Sequence, residues 1–423
     1  MSHQGQTINH LGILVLFVAF LAGKFSLTRI SDYFENLGLI AYVAYWFVLP
    51  LLLLALLSLK WDGLHISISA PVSSHIFGAF ALFVSLLNIY MALSSVWAPY
   101  PDPDSVSQLL LAVILVAFAY VFLRWGAEKQ LSLILILTFA SGLVYAIAGL
   151  ADGLDGGRLS AFGGGPNVFV RVVGSGFVAG LYLFFSQRKR FVIWTFPVLL
   201  ISALGSGSRG GAIGLIVSAL FVALFVLPRY YQWRTILGTV IILAMLAWIA
   251  YGLIRDSDLM MTIWTRYVVF SEAGYFSGHD IRMLAAWYLF LDNPWIGIGL
   301  SGFRAATGFP DYPHNLFLHI ASEGGILGLI PLSACLVLLI YRWFQPRSAE
   351  HDFALAICLL YFVASQISGQ IYDARFVWFY GLAYLLPKRQ ITHITDAITP
   401  TLTRIPYPRL ARQSRIKAES QHK

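Results

Sequence analysis

The stretch GAIGLIVSALFVALFVLP at residues 211–228 contains no charged side chain. A run of about twenty apolar residues crosses a bilayer as a helix, because the helix satisfies its own backbone polar groups. Similar runs recur along the chain of 423 residues, of which 58% are hydrophobic and only 11% charged. This composition excludes a water-soluble globular protein of this size and predicts an all-α polytopic membrane protein.

Apolar runs of this kind predict about twelve transmembrane helices. The predicted spans cover residues 10–28, 37–59, 75–95, 107–125, 131–150, 167–186, 191–206, 211–228, 235–254, 316–341, 353–368 and 371–387. The two cysteines, Cys335 and Cys358, both lie inside such runs. The sequence therefore predicts neither a disulfide scaffold nor a cysteine-based metal site.

Basic residues fall in every second connection between the predicted spans. They are Lys60, Arg124, Lys129, Arg188, Lys189, Arg190, Arg229, Arg234, Arg342 and Arg347, and the tail adds more. Because Lys and Arg concentrate in cytoplasmic loops, we expect these loops and both termini to be cytoplasmic. The formal charge of +8 then reflects topology, and we expect no nucleic-acid partner.

One connection, residues 255–315 between predicted spans nine and ten, is much longer than the others. Its many aromatic residues argue against disorder, and we expect amphipathic helices on the outer membrane surface. The predicted organisation is nine spans in 1–254, this outer segment in 255–315, three spans in 316–387 and a basic cytoplasmic tail in 388–423. The tail either contacts anionic lipid or is disordered.

Several arginines fall at the outer ends of spans, where topology does not require them and where each needs a partner. They are Arg158, Arg171, Arg209, Arg266 and Arg282. Arg209 stands in GSGSRGG at 205–211, where glycines free backbone N–H groups, Ser208 adds a hydroxyl and a helix begins. This pattern favours a phosphate or pyrophosphate clamped by arginine. A packing turn with lipid headgroup contacts is the alternative.

His314 and Asn315 open the span that follows the outer segment. A histidine in the first turn of a helix stays neutral and can accept a proton, although a satisfied interfacial histidine is the alternative. His319 and Glu323 share a helical face, but His314 lies roughly 140° away around the helix. The sequence therefore predicts no metal site here.

Taken in order, these motifs resemble the O-antigen ligase and polymerase family. The motifs are FGGGPN at 162–167, GSRGG at 207–211, the run from Arg282 to NPWIGIG at 293–299, PHNLFL at 313–318 and EGGILG at 323–328. The resemblance implies a GT-C-like fold and an inverting glycosyltransferase that uses no metal or cofactor. It also implies a bacterial inner membrane, with the active site and the outer segment in the periplasm.

The implied donor is a glycan on undecaprenyl pyrophosphate. The implied acceptor is a sugar hydroxyl, either on lipid A-core for a ligase or on a lipid-linked repeat unit for an O-antigen or exopolysaccharide polymerase. Only about thirty residues separate Arg282 from His314, which is short for a ligase and leaves this choice open. A transporter or flippase for lipid-linked glycan is the alternative from another class, and a scaffold of an export complex is a further one.

At the matching positions, the resemblance assigns Arg209 and Arg282 to the donor pyrophosphate and His314 to the acceptor. Asp280, Asp311 and Glu323 are alternative bases. Further candidates around the site are Arg158, Arg171, Arg266, Asn315 and Ser208. We expect Asn315 to cap the helix or to orient the histidine, and the three arginines to bind either the substrate or lipid headgroups.

Overall fold

The computed structural model describes residues 3–23, 25, 27, 42–62, 72–124, 128–269, 279–310 and 312–387. The described chain is mostly helical, as predicted, with one short antiparallel hairpin that pairs Asp155 with Arg158. The predicted tail at 388–423 and the candidate base Asp311 lie outside the described residues.

The α-helices follow one another with few interruptions. They are α1 His3–Ala22, α2 Val43–Trp46, α3 Val48–Asp62, α4 Val72–Leu93, α5 Pro103–Leu123, α6 Glu128–Asp152, α7 Gly165–Phe185, α8 Phe196–Gly205, α9 Arg209–Phe221, α10 Leu227–Tyr230, α11 Trp233–Ile254, α12 Asp258–Trp264, α13 His279–Asp292, α14 Gly302–Thr307, α15 Leu316–Trp343, α16 Ala349–Ser368 and α17 Arg375–Tyr384. Strands β1 (Leu154–Asp155) and β2 (Arg158–Leu159) form the hairpin. Short 3₁₀ turns span Ser94–Val96, Arg190–Thr195 and Ile371–Ala374, and π turns span Val222–Val226 and Thr265–Val269.

Seven helical stretches in the described chain are long and apolar enough to cross a membrane. They are His75–Val96, Pro103–Leu123, Lys129–Asp152, Gly165–Phe185, Arg209–Tyr230, Leu316–Trp343 and Ala349–Ser368. Shorter apolar helices at Thr7–Ala22, Val43–Ser58, Arg190–Gly205 and Trp233–Leu246 coincide with four other predicted spans. These helices are those of a multi-pass membrane protein.

The predicted span at 371–387 differs from the others. It consists of the 3₁₀ turn and the ten-residue helix α17, which is about 15 Å long and thus about half the thickness of the hydrocarbon core. Val377, Phe379 and Leu382 are fully buried, so protein surrounds this helix on all sides. An apolar sequence is the same whether lipid or protein covers the helix. The predicted span at 371–387 is therefore longer than the helix α17 that the structure contains.

Helix α7 is central, because it is buried along nearly its whole length and packs on α6, α9 and α16. At its N-terminal end, the side chain of Asn167 bonds to Ser208 just before α9. One turn further along, Arg171 bonds to Ser368 at the end of α16. The FGGGPN and GSRGG motifs therefore meet at one end of the helix bundle.

The NPWIGIG and EGGILG motifs fasten the segment 255–315 to α15. The backbone N–H groups of Ile298 and Gly299 donate to the carbonyls of Ser322 and Glu323. Gly325 breaks α15 with φ of 62°, and a Cβ there would lie 2.5 Å from the backbone of Trp295. These two motifs thus serve a backbone junction, which fixes α13 and α14 beside α15.

Candidate active site

A cavity of about 480 Å³ opens where the N-terminal ends of α7 and α9 meet the segment 255–315. Asp280 of α13, one of the alternative bases, lines this arginine cavity. So do five further residues predicted from the sequence, namely Arg158, Arg209, Arg266, Ser208 and His314. They come from β2, from the start of α9, from the π turn after α12 and from the loop before α15. Folding therefore brings together side chains that are up to 156 positions apart in the chain, from Arg158 to His314.

The turn before α9 shapes the floor of the arginine cavity. The hydroxyl of Ser208 caps α9 by accepting from the N–H of Gly211 at 3.4 Å, and it donates to Oδ1 of Asn167 at 2.7 Å. Gly207 has φ of 60°, and a Cβ there would lie 3.1 Å from Cγ of Arg266. The positive φ favours glycine at this position, and a Cβ would also crowd the side chain of Arg266.

The other two glycines of the motif have a packing role. A Cβ on Gly210 would lie 2.7 Å from Oγ of Ser368, and one on Gly211 would lie 2.0 Å from Cγ1 of Val170. Both positions thus allow α9 to approach α16 and α7 closely. The sequence suggested that the glycines of this motif leave backbone N–H groups accessible to a ligand. In the structure only Gly207 has the positive φ that this role uses, while Gly210 and Gly211 allow close helix contacts.

Positive charge is concentrated in the arginine cavity. Nε of Arg158 donates to the carbonyl of Ser206 at 2.8 Å, which directs this guanidinium along the turn. Burial, followed by the positive charge of Arg266, lowers the pKa of Arg158. Of the described residues that line the cavity, three are arginines and one, Asp280, is a carboxylic acid. This balance suits a multiply charged anion.

Tyr267 joins the π turn to the turn before α9. Its hydroxyl donates to the carbonyl of Ser208 at 3.4 Å. Burial is the main cause that raises the pKa of Tyr267 to about 12, so the phenol remains a donor at neutral pH. This contact links the turn that carries Arg266 to the turn that carries Arg209.

His314 lies one residue before the N-cap of α15, rather than in its first turn, and has φ of 61°. Its ring stacks on the ring of His279, with centroids 4.2 Å apart and planes at 29°. Tyr312 flanks it on the same loop, with ring centroids 4.6 Å apart. The histidine is therefore held by aromatic contacts at the wall of the arginine cavity.

His279 is a residue that the sequence interpretation did not identify. Its Nδ1 lies 3.2 Å from the carbonyl oxygen of Ile367, which can only accept, so Nδ1 carries the proton and Nε2 the lone pair. Burial is the main cause that lowers the pKa of His279, and Arg282 and Arg209 lower it further. The signal in the sequence was its position, one helical turn before Arg282.

Asn315 caps α15, which was one of its two predicted roles. Its Oδ1 accepts from the N–H of Leu318 at 3.0 Å, and its Nδ2 donates to the carbonyl of Gln366 at 3.0 Å. The second bond ties the start of α15 to the end of α16. Asn315 thus fixes the backbone next to His314.

Other predicted site residues stand outside the described lining of the arginine cavity. The guanidinium of Arg282 lies 5.3 Å from the ring centroid of Phe309. Arg171 is buried, 3.4 Å from the carboxylate of Asp373. The buried carboxylate of Glu323 accepts from the N–H groups of Ser301 and Phe303 and bonds to His319. Arg171 and Glu323 therefore hold neighbouring segments together, and Arg282 acts on the cavity through the charge that it places near His279.

In the described part of the chain, metal-ligating side chains do not converge in a comparable way. Within the described ranges, no group of three or more His, Cys, Asp or Glu residues is placed to hold a metal ion. The pair His319 and Glu323 on α15, separated by 3.1 Å, is engaged within the protein.

Comparison with known families matches part of the chain. Residues 194–333 match the model of the family described as O-antigen ligase. No curated protein and no solved structure matches the chain. The matched part contains Arg209, Arg266, His279 and His314, which are the side chains that define most of the arginine cavity. Residues 194–333 are thus similar to the O-antigen ligase family.

Proposed function

We propose that this protein is an inverting glycosyltransferase of the O-antigen ligase or polymerase type. It transfers a glycan from undecaprenyl pyrophosphate to an acceptor sugar hydroxyl at the periplasmic face of a bacterial inner membrane. The observation that carries the proposal is the convergence of three arginines and two stacked histidines on one cavity. Two of these arginines and both histidines lie in the part of the chain that matches the family.

The proposed topology follows from the same assignment. The chain has a GT-C-like fold with about twelve apolar helices, both termini are cytoplasmic, and the segment 255–315 is periplasmic. The arginine cavity lies at the end of the bundle formed by the N-termini of α7 and α9. A transporter or flippase would instead need charges along a path through the bundle.

The arginines replace a metal ion in this proposal. The leaving group is a lipid pyrophosphate, which gains negative charge as its bond to the sugar breaks. Arg158, Arg209 and Arg266 stabilise that charge, because guanidinium groups bind phosphate oxygens in a bidentate manner and are already oriented by the fold. No cofactor takes part in the reaction.

The histidines handle the proton in this proposal. The acceptor hydroxyl oxygen attacks the anomeric carbon from the face opposite the pyrophosphate, and a new C–O bond forms. The bond from the anomeric carbon to the phosphate oxygen breaks, and its electron pair leaves with undecaprenyl pyrophosphate. His314 takes the hydroxyl proton as general base.

His279 is a positioning residue for that step. Its ring stacks on His314, and its lowered pKa keeps it neutral at pH 7. A neutral ring stabilises the imidazolium that forms when His314 takes the proton, whereas a second imidazolium would repel it.

Transfer by the purified protein in detergent tests the proposal. His314→Ala should abolish transfer from an undecaprenyl-pyrophosphate glycan, and Arg209→Ala should lower it strongly, both at unchanged protein abundance. The matched control is Arg234→Ala, an exposed arginine at the start of α11, which should transfer normally. Normal transfer by His314→Ala would refute the proposed base.

A deletion strain separates the two possible acceptors. Loss of a polymerase leaves one repeat unit on the lipid core, whereas loss of a ligase leaves a bare core and accumulated lipid-linked chains. The surface polysaccharide pattern on a gel distinguishes these outcomes directly.

A further inference from the structure

A second cavity of about 480 Å³ lies next to the arginine cavity, between α1, α2, the N-terminus of α7 and the 3₁₀ turn Ile371–Ala374. We infer that this aromatic cavity binds an uncharged sugar ring, and that it is the saccharide subsite of the enzyme. The inference rests on the proposed function and adds to it a site for the part of the substrate that the arginines do not hold.

The lining of the aromatic cavity has the composition of a sugar site. Its aromatic members are Phe25, Phe47, Tyr145, Phe162 and Tyr312. Polar side chains that exchange hydrogen bonds with hydroxyl groups, namely Asn167, Gln370 and Asp373, share the same wall. Apolar walls with a few placed polar groups are typical of small-molecule sites, and the flat apolar face of a pyranose packs on an aromatic ring.

The backbone of Phe162 adopts a conformation that is unfavourable for a non-glycine residue. It adopts φ of 53°, which non-glycine residues seldom do, and half of its surface is exposed. Its ring meets Tyr145 edge to face at 4.8 Å. The exposed face of this ring is therefore available to a ligand in the aromatic cavity.

The charge of the aromatic cavity differs from that of its neighbour. Asp373 lies 3.4 Å from Arg171 and 4.0 Å from Arg375, so its carboxylate is balanced by guanidinium groups. Among the described residues that line the aromatic cavity, one arginine, Arg375, is matched by one carboxylate, Asp373, so positive charge is not in excess. An uncharged, hydroxyl-bearing ligand fits better, and a purely apolar lipid chain would leave Asp373 and Gln370 without hydrogen bonds from solvent.

The two cavities adjoin in the way that a transfer reaction requires. Asn167 lines both of them, and it bonds to Ser208 in the arginine cavity. Tyr312 lines the aromatic cavity, and its ring lies 4.6 Å from that of His314. A sugar in the aromatic cavity would therefore sit beside both the base and the pyrophosphate site.

The test measures substrate constants for Phe162→Ala and Gln370→Ala in full-length protein. Each variant should raise the KM of one saccharide substrate about tenfold. A raised KM for the acceptor assigns the site to the acceptor sugar, and a raised KM for the donor assigns it to the donor glycan. Binding of undecaprenyl pyrophosphate without a glycan should be unchanged.

Two controls keep the test specific. Phe162→Tyr retains the ring and should restore the KM, which separates stacking from folding. Trp194→Ala removes another exposed aromatic side chain, outside the aromatic cavity, and should change neither KM.

Unchanged KM values for both substrates would overturn the inference. Weaker binding of glycan-free undecaprenyl pyrophosphate by Phe162→Ala would also overturn it, because the cavity would then hold the lipid chain. Failure of the proposed function looks different, since Arg209→Ala and His314→Ala would then retain full transfer.

Discussion

Arginines lie at both ends of the helical stretch Arg209–Tyr230, and the two ends differ in the negative charge that lies close to these arginines. At the far end, Arg229 lies 3.4 Å from the fully buried carboxylate of Asp352, and Arg347 forms a second ion pair with it. The hydroxyl of Tyr230 donates to the same carboxylate at 2.9 Å. At the near end, three arginines line a cavity in which Asp280 is the single carboxylic acid among the described lining residues.

This difference separates structural arginines from binding arginines. The far-end group, here called the carboxylate cluster (Arg229, Tyr230, Trp343, Arg347 and Asp352), is closed by its own anion. Trp343 covers both guanidinium groups, with centroid distances of 4.4 Å and 3.8 Å. The arginine cavity gathers the same side chains around open space. Charge of one sign around a cavity points to a ligand of the other sign.

The largest expected effect is on stability, at the carboxylate cluster. Asp352→Ala leaves two arginines near a buried site without their shared anion and should lower the free energy of unfolding by about 3–5 kcal/mol. Thermal unfolding in detergent measures this loss. Transfer per folded molecule should stay normal.

Asp256→Ala is the control for that variant. Asp256 pairs with Arg255 at 3.1 Å, but its side chain is 85% exposed, so its loss should leave the unfolding temperature unchanged. If Asp352→Ala abolished transfer in protein that remained folded, the distinction between the two ends would be wrong.

The second effect is on catalysis, at the arginine cavity. Arg209→Ala should lower kcat about 10²–10³-fold, because an oriented donor to the leaving group is lost. Arg209→Lys should recover little, since an ammonium group lacks the bidentate fork. Steady-state transfer rates measure both.

Arg229→Ala is the matched variant at the other end of the same helical stretch. It should lower the unfolding temperature and leave kcat nearly unchanged. Equal loss of kcat in Arg209→Ala and Arg229→Ala would show that the rate depends on the total positive charge of this stretch. Full recovery of kcat by Arg209→Lys would show that the bidentate geometry of the guanidinium is not needed.

The third effect concerns the pH dependence of the reaction. Because the pKa of His279 is lowered, its neutral form persists below the ordinary value of about 6.5, and its protonation should add to the loss of rate only below that value. His279→Phe keeps the stacked ring and removes the titrating group. Its acid limb should show one titrating group fewer than the wild type, with a similar rate at neutral pH.

His279→Ala removes the ring as well and should lower kcat about tenfold at every pH, which amounts to about 1.4 kcal/mol. A pH profile of His279→Phe identical to that of the wild type would exclude a role for the titration of His279.

The fourth effect is on stability again, at the motif glycines. Gly211→Ala places a Cβ 2.0 Å from Val170 and should cost about 1–3 kcal/mol of stability through overpacking of α9 on α7. Gly238→Ala, where a Cβ meets nothing within 4 Å, is the control and should not destabilise the protein. Equal unfolding temperatures for the two variants would show that the GSRGG glycines are not there for packing.

The amino-acid sequence determined the class of the protein and several of the residues at the arginine cavity. The free energy of moving apolar side chains out of water depends on how many of them follow one another in the sequence. The long apolar helices could therefore be predicted from the sequence. Arg158, Arg209, Arg266, Ser208 and His314 stood out because charged and polar groups at the ends of apolar helices need a partner.

The tertiary structure decided which of these residues meet. Arg171 and Glu323 were candidate site residues in the sequence. In the structure, Arg171 pairs with Asp373, which is distant in the chain, and Glu323 accepts from the backbone of Ser301 and Phe303. His279 looked ordinary, but folding places it against His314 and the carbonyl of Ile367. The length of α17 and the aromatic cavity likewise depend on neighbours from distant helices. Two polar side chains interact only if folding brings them close together in space. The order of residues in the sequence does not give these distances.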